Sequence, residues 1–322
     1  MEDPPVNKAL CVLERGVVIV AFPRISIPRY SPFERSKIIF SYVALLPIIA
    51  IFTVLRVIPI VQTFYMSLFD WKLVGRTKPF IGLLNYQELM YDEQFWLSMN
   101  NTFLYAGASV ILGIIISLPI ALMLSGELRL TSFYQAAFFL PFITPMVPMS
   151  VAWKWIYDPK YGILNYILSF FGVKPVAWLI YPDIAIWALI AMNIWKNIGY
   201  NIVLLLVGIK NIPSMYFEAA SIDGASGWKK FRHITFPLLK PMLLYVLVTS
   251  TINAFNVFTQ EYVMTLGSQA APGKAVRVLL FDIYENGFRY FRMGYASAEA
   301  VILTIVVLGL TLIQFKVVKY DV

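Results

Sequence analysis

The chain has 322 residues, of which 59% are hydrophobic and 14% are charged. A soluble domain carries roughly a quarter charged residues, so this composition excludes a soluble globular protein and indicates an integral membrane protein. The formal net charge of +8 does not indicate nucleic-acid binding, because the basic residues lie between apolar segments, where they are typical of membrane topology signals.

Residue types that the sequence lacks exclude three kinds of chemistry. Cys11 is the only cysteine and His233 is the only histidine, which excludes an internal disulfide and a histidine-based metal cluster. No Gly-x4-Gly-Lys-[Ser/Thr] motif is present, so the chain is not an ATPase in its own right. We therefore expect no catalytic residue, no metal ligand and no cofactor in this chain.

The first segment, residues 1–37, is predicted to be a cytoplasmic arm. Glu14 and Arg15 interrupt its apolar stretch and Pro23 ends it. This pattern is not that of a cleavable signal peptide.

Six later segments reach the ~20 mostly apolar residues that a membrane-spanning helix needs. They cover residues 38–61, 103–124, 133–157, 184–208, 242–265 and 296–318. The sequence therefore predicts an all-α polytopic domain at 38–318, followed by a tail at 319–322. An even number of spans places both termini on one side, and the excess of Lys and Arg on that side predicts that it is the cytoplasm.

Prolines within the spans predict kinks. Pro141, Pro145 and Pro148 crowd the third span, and Pro47 and Pro59 lie in the first. Each proline removes a backbone donor and bends its helix. Such kinks fit an ordinary packed bundle and a moving gate equally well.

Polar residues follow one helical face in each of two spans. In the fourth span they are Asn193, Lys196, Asn197, Tyr200 and Asn201. In the fifth span they are Thr249, Asn253, Asn256 and Gln260. Polar residues inside a membrane usually face a bundle interior or a cavity.

Two roles are open for these faces. Asn, Gln and Thr side chains hydrogen-bond across packed helices, which contributes about 0.6–2 kcal/mol. Alternatively, amide and hydroxyl groups line a path for a hydroxyl-rich solute, because they both donate and accept. We favour the path, more strongly for the fifth span than for the fourth. A third role is open for Lys196, because a lysine near the end of a spanning helix can extend its ammonium to the membrane interface.

A charged loop, residues 209–241, separates the fourth and fifth spans. Pro213 and Ser214 favour a helix start, and Gly224 permits the turn that ends that helix. A second helix would carry an apolar stripe of Trp228, Phe231 and Ile234. The loop fits either a segment lying on lipid headgroups or a docking surface for a soluble partner.

The same loop resembles the EAA loop of permease subunits in binding-protein-dependent ABC importers. The family pattern is Glu-Ala-Ala, three residues, Gly, nine residues, Ile, one residue and Leu-Pro. The matching residues are Glu218, Ala219, Ala220, Gly224, Ile234 and Pro237. Phe236 stands where the family usually has leucine. Asp223 lies in an Ile-Asp-Gly-Ala stretch that is similar to the carbohydrate-type branch.

The resemblance covers about residues 32–322. Gly-Tyr-Asn-Ile-Val at 199–203 and Gly-Tyr-Ala-Ser-Ala at 294–298 are also similar to the carbohydrate-type branch. One stretch departs from it, because residues 266–273 replace the Gly-Gly-Pro that usually follows the fifth span.

The resemblance implies the type I ABC importer permease fold, with six transmembrane helices and both termini in the cytoplasm. It implies a multi-pass protein of the bacterial inner membrane, with membrane lipid around it and no nucleic-acid partner. Its protein partners would be a second, related permease subunit, two ATP-binding subunits that hold ATP and Mg, and an extracellular or periplasmic solute-binding protein. The loop at Glu218 would then couple the permease to the ATPases.

The implied function is a path for a carbohydrate, either an oligosaccharide or a polyol. A glycerol 3-phosphate importer is an alternative, although we expect more cationic groups on such a path. A polytopic glycan-processing enzyme would need paired carboxylates in a loop, and Asp92-Glu93 reads as a solvated turn. A secondary transporter would show inverted repeats and ion-coupling residues at mid-membrane, and neither is visible.

Overall fold

The computed structural model describes residues 32–75, 77–126, 129–265 and 276–317. Most of these residues are helical, and these ranges contain no strand beyond two isolated bridges, Phe69–Phe80 and Lys72–Arg292. The predicted all-α class is therefore confirmed. The predicted tail at 319–322 and most of the predicted arm, residues 1–31, lie outside the described residues.

The chain divides into two compact units, Met1–Pro59 and Ile60–Val322. The helical segments around this boundary are α1 (Pro32–Phe52), a π-helical turn (Thr53–Val57) and α2 (Ile58–Met66). Length and composition make Ser36–Met66 a candidate membrane span. It corresponds to the first predicted span, 38–61.

The remaining helices belong to the second unit. In chain order they are α3 (Leu84–Tyr91), α4 (Glu93–Ser125), α5 (Thr131–Ile143), α6 (Met146–Ile156), α7 (Ile163–Ser169), α8 (Pro182–Lys210), α9 (Ser214–Ile222), α10 (Gly227–Lys230), α11 (Phe236–Phe255), α12 (Thr259–Thr265), α13 (Leu279–Tyr284) and α14 (Met293–Val317). A π-helical turn, Phe231–Thr235, joins α10 to α11, and another, Glu285–Arg289, follows α13.

Four helical runs of this unit are long and apolar enough to cross a membrane: α4, α8, the run Gly227–Phe255 and α14. They correspond to the second, fourth, fifth and sixth predicted spans. Helix α4 begins where the Asp92 carboxylate accepts a hydrogen bond from the backbone N–H of Gln94 at 2.8 Å. This cap satisfies one of the N–H groups that the first turn leaves without an intrahelical partner.

The third predicted span, 133–157, is broken. Helices α5 and α6 meet at an angle of 99°, with Thr144 and Pro145 in extended conformations between them. Proline disfavours the helical conformation of the preceding residue and supplies no N–H. The described residues therefore contain five candidate spans, or six if the bent pair counts as one span.

The fifth span has different limits from the prediction, which put it at 242–265. Its helical run begins earlier, at Gly227, and ends at Phe255. Val257 and Phe258 are not helical, and α12 is a separate short helix. Pro237 and Pro241 therefore lie inside this run, and the π-helical turn Phe231–Thr235 directly precedes α11.

Helices α4, α8 and α11 pack around a buried apolar cluster that includes Ala121, Ile202 and Leu239. Gly208 permits the contact between α8 and α11, because a Cβ there would lie 2.7 Å from the Leu239 side chain and 2.9 Å from that of Met242. These three helices therefore form the frame that holds the polar faces identified in the sequence.

A buried ion network organises the segment before α14. The Arg277 guanidinium pairs with both Asp282 and Glu285, whose carboxylates are almost fully buried. The Asn101 amide of α4 donates to the backbone carbonyl of Arg277 at 3.0 Å. Buried charges need such partners because they have lost their water, so the network fixes this segment against α4.

Glu261 is another buried carboxyl beside this network and lies on α12, outside the spanning helices. Burial raises the pKa of Glu261 from 4.5 to about 8, and the nearby Arg277 acts in the opposite direction. Because the folded-state pKa is raised, the stabilising contribution is complete below about pH 4.5 and is lost as the pH rises through about 8.

Glu261→Gln is therefore expected to reduce the alkaline loss of stability. Thermal unfolding of the purified protein between about pH 5 and pH 9 should show a drop in Tm on the order of a few degrees that the variant lacks. Glu93→Gln, at an exposed position, serves as the control and should keep the drop. Identical pH profiles for the parent chain and Glu261→Gln would contradict the assignment.

Candidate functional site

The loop at residues 209–241, named here the Glu218 loop, folds as two short helices. Helix α9 starts after Pro213, which occupies the N-cap position without a side-chain cap hydrogen bond. The predicted start is correct in position, but Ser214 is the first helical residue and does not act as the cap. The second helix, α10, continues through the π-helical turn into α11.

The turn between these helices depends on Gly224. Its φ is +69°, a left-handed conformation that residues with a Cβ rarely adopt. Two hydrogen bonds close the turn, from Gly224 N to Ser221 O at 3.1 Å and from Ala225 N to Ala220 O at 2.8 Å. The Lys230 ammonium also donates to the Ser221 hydroxyl at 2.7 Å, which ties α10 to α9.

The Glu218 loop exposes most of the residues predicted to act there. Those exposed are Glu218, Ala219, Asp223 and Gly224, whereas Ala220, Ile234 and Pro237 are half-buried. Large apolar side chains are exposed beside them as well, among them Ile222 at 88% and Trp228 at 67%. A short, stiff loop with small, acidic and apolar groups on its surface has the composition of a protein-docking surface.

A cavity of about 40 Å³ lies between α4, α8 and α11. Its lining residues are Ser109, Val110, Gly113, Asn193, Ile194, Asn197, Ile198, Tyr200, Asn201, Ser250, Asn253 and Ala254. The whole predicted fourth-span face except Lys196 is in this set, together with Asn253 of the fifth span. We call it the amide cavity.

Hydrogen bonds within the amide cavity leave polar capacity unused. The Asn197 amide donates to the backbone and side-chain oxygens of Asn193, at 2.9 Å each, and the Ser250 hydroxyl donates to Asn201 Oδ1 at 3.5 Å. Among the described residues, none forms a hydrogen bond of normal geometry with the buried Ser109 hydroxyl. Buried polar groups normally have partners, so the cavity can accommodate a ligand that donates and accepts.

Three residues of the predicted fifth-span face lie elsewhere. The Thr249 hydroxyl donates back to Tyr245 O at 2.8 Å, and the Asn256 amide donates to Ile252 O at 2.7 Å. Gln260 is 1% exposed on α12, and neither atom of its amide has a hydrogen-bond partner among the described residues. The helical face cannot continue to these last two residues because α11 ends at Phe255.

Sequence reasoning missed the wall that α4 contributes to the cavity. Ser109 and Gly113 line it, and with Ser117 they form a buried stripe of small residues at a spacing of four. That spacing was the available signal, because small and polar residues four apart on a spanning helix are typical of close helix contacts.

A family model described as "Binding-protein-dependent transport system inner membrane component" matches residues 96–319. The chain is 36% identical over 290 residues to the probable ABC transporter permease protein YurN of Bacillus subtilis, covering 89% of this chain and 98% of that one. It is 34% identical over 279 residues to the trehalose/maltose transport system permease protein MalF of Thermococcus litoralis, covering 87% and 93%.

The fold is similar to that of a chain in the crystal structure of a bacterial alginate ABC transporter in complex with an alginate pentasaccharide-bound periplasmic protein. The TM-score is 0.77 and the identity 24%, with 89% of this chain and 98% of that chain covered. At this identity the likeness concerns the fold, and it confirms the predicted importer-permease architecture.

Gly199 sets how closely α5 approaches the cavity wall, and its substitution is a direct test. A Cβ at Gly199 would lie 1.9 Å from the backbone oxygen of Phe138, so Gly199→Ala must push α5 away from α8. We expect a loss of about 1–3 kcal/mol in stability, measured as a lowered Tm of the purified protein.

The matched control is Gly107→Ala, because a Cβ at Gly107 on α4 meets nothing within 4 Å. Alanine is the better helix former, so this change should be neutral or slightly stabilising. Equal Tm values for the two variants would contradict the close packing of α5 on α8.

Proposed function

The chain belongs to the family of binding-protein-dependent transport system inner membrane components, and on this basis we propose that it forms one wall of the translocation path for a neutral carbohydrate. It is a non-catalytic permease subunit of an ABC importer, a multi-pass protein of the cell membrane. The proposed solute is an oligosaccharide or a polyol, handed over by a solute-binding protein outside the membrane.

The composition of the amide cavity supports a neutral solute. Of the described residues that line it, Tyr200 alone has an ionisable side chain, and the others offer amides, hydroxyls and apolar surface. Amides suit sugar hydroxyls because both donate and accept. A path for glycerol 3-phosphate would be expected to place a cation near the phosphate, which disfavours that alternative.

The small volume of the cavity supports a closed path. At about 40 Å³ it exceeds the space of one water, which needs roughly 10–15 Å³, but no sugar ring fits it. Transport would therefore require α4, α8 and α11 to move apart. An importer that alternates between closed and open arrangements is expected to do this.

We propose that the Glu218 loop drives this movement as the coupling loop for two ATP-binding subunits, which hold ATP and Mg. The loop would then face the cytoplasm, together with both termini, and α9 would dock into the partner. Helix α10, the π-helical turn and α11 form one 29-residue run, which spans about 40 Å. A displacement of α10 would therefore move Ser250 and Asn253 in the cavity wall.

Further partners follow from the same proposal. A second, related permease subunit would supply the opposite wall of the path. The domain limits are proposed as an arm at 1–37, the permease domain at 38–318 and a tail at 319–322.

Purification from native membranes in mild detergent tests the assembly. Mass spectrometry is expected to find an ATP-binding subunit and a second permease in stoichiometric amounts. Recovery without an ATP-binding subunit or without a second permease would overturn the proposed assembly.

The solute class has a separate test. The solute-binding protein that supports transport by this complex is expected to bind neutral oligosaccharides or polyols in calorimetric titration. Uptake of glycerol 3-phosphate by the complex should be at least about 100-fold slower than uptake of that neutral solute, because no cation on the described cavity wall would compensate the phosphate charge. The reverse preference would contradict the neutral path.

Coupling through the turn is tested by Gly224→Val. Valine in the left-handed conformation is strained by about 1–2 kcal/mol, so the turn should leave its present geometry and solute uptake should fall about tenfold. Gly227→Val is the matched control, because both positions are open space but only Gly224 has a positive φ. Equal solute uptake by the two variants, when both are present in the membrane in equal amounts, would contradict a coupling role of the turn.

A further inference from the structure

The break of the third span leaves backbone carbonyls without their usual helical partners. In a continuous helix Pro141 O would accept from residue 145 and Thr144 O from residue 148. Both of those residues are prolines, which have no N–H to donate. Each unsatisfied group inside a membrane costs several kcal/mol, so the break requires other donors.

The Thr144 hydroxyl donates to Pro141 O at 2.5 Å, and Lys196 supplies the other donors. This lysine lies in the middle of α8 and is 7% exposed. Its ammonium donates to Pro141 O at 3.0 Å, to Phe142 O at 3.1 Å and to Thr144 O at 2.7 Å. An ammonium has three donors, and all three are used. The positive charge also lies at the C-terminal end of α5, where the helix dipole favours a cation.

The contact continues along both helices towards the amide cavity. The ring of Phe142 stacks on that of Tyr200 with centroids 4.7 Å apart and planes at 16°, and Gly199 lets Phe138 approach α8 closely. Tyr200 and Asn197 line the cavity. The side chains on either side of Lys196 thus either hold α5 or form the cavity wall.

We propose that Lys196 is a positioning residue of the translocation path. It clamps the broken third span to α8 and so places Phe142 against Tyr200, while its charge is taken up by backbone carbonyls rather than offered to the solute. The role in a path rests on the proposed function, but the clamp itself does not.

Cysteine cross-linking in the purified, complete importer tests the clamp without any solute. Cys11 is replaced by serine, and cysteines are placed at Phe142 and Tyr200, which a short bis-methanethiosulfonate reagent can join. Removal of three charge-assisted hydrogen bonds by Lys196→Met should lower the cross-linking rate at least about tenfold. Lys196→Gln, with two donors and no charge, should lower it less.

A second cysteine pair separates a local effect from general unfolding. Phe103 of α4 and Phe255 of α11 have ring centroids 5.3 Å apart and are not bonded to Lys196. Their cross-linking should be unchanged in the Lys196 variants, and Lys210→Met, which removes an exposed lysine from the same helix, should affect neither pair.

Equal rates for Lys196→Met and the parent at the first pair would overturn the clamp, and so would an equal loss at both pairs. If Lys196→Met does not assemble, the cross-linking rates of Lys196→Gln are compared with those of the parent instead. Equal rates at the first pair, or an equal loss at both pairs, would again overturn the clamp. A solute that is not a carbohydrate would leave the cross-linking result intact, so failure of the proposed function is distinguishable from failure of the clamp.

Discussion

A bilayer offers no hydrogen-bond partners to the backbone, and the rest of this structure depends on how the chain meets that constraint. A straight helix satisfies its backbone N–H and C=O groups with its own hydrogen bonds, whereas the third span is broken by prolines and bent by 99°. Lys196 meets the constraint there by donating from a neighbouring helix. A helix break that would otherwise be costly becomes a fixed bend against α8, directly beside the amide cavity.

Helix α11 connects the amide cavity with the Glu218 loop. The run Gly227–Phe255 extends from the second helix of that loop to the cavity wall without an interruption of its helical course. A π-helical turn at Phe231–Thr235 widens this run next to the loop, and such turns often occur at functional positions. The loop, a continuous helix and a closed polar cavity are the parts that a transport subunit needs to convert movement at one face into opening inside the membrane.

Much of this arrangement could be predicted from the sequence, because the spans and the turn of the loop depend on residues that are close together in the chain. Apolar length predicted the spans, and the types of residue at Pro213, Ser214 and Gly224 predicted a two-helix loop with its turn at Gly224. The fourth-span face was also visible as helical periodicity, and all of it except Lys196 lines the cavity.

The remaining features arise from tertiary structure. Three prolines indicated a bend in the third span, but no periodicity gives its angle or reveals that a lysine more than 50 residues away in sequence satisfies it. The polar face of the fifth span was extended too far, since α11 ends at Phe255 before the pattern does. The partners of Arg277 and the buried state of Glu261 likewise depend on contacts between segments that sequence spacing does not encode.

The Glu218 loop is proposed to join this membrane path to an ATP-hydrolysing partner. A photo-crosslinking amino acid in place of Ile222, which is 88% exposed on that loop, tests it in intact cells. We expect a single major adduct with an ATP-binding subunit, and no such adduct from the same probe in place of Tyr161, which is 81% exposed in the segment before α7. Lipid adducts alone at position 222, with the importer otherwise assembled, would contradict it.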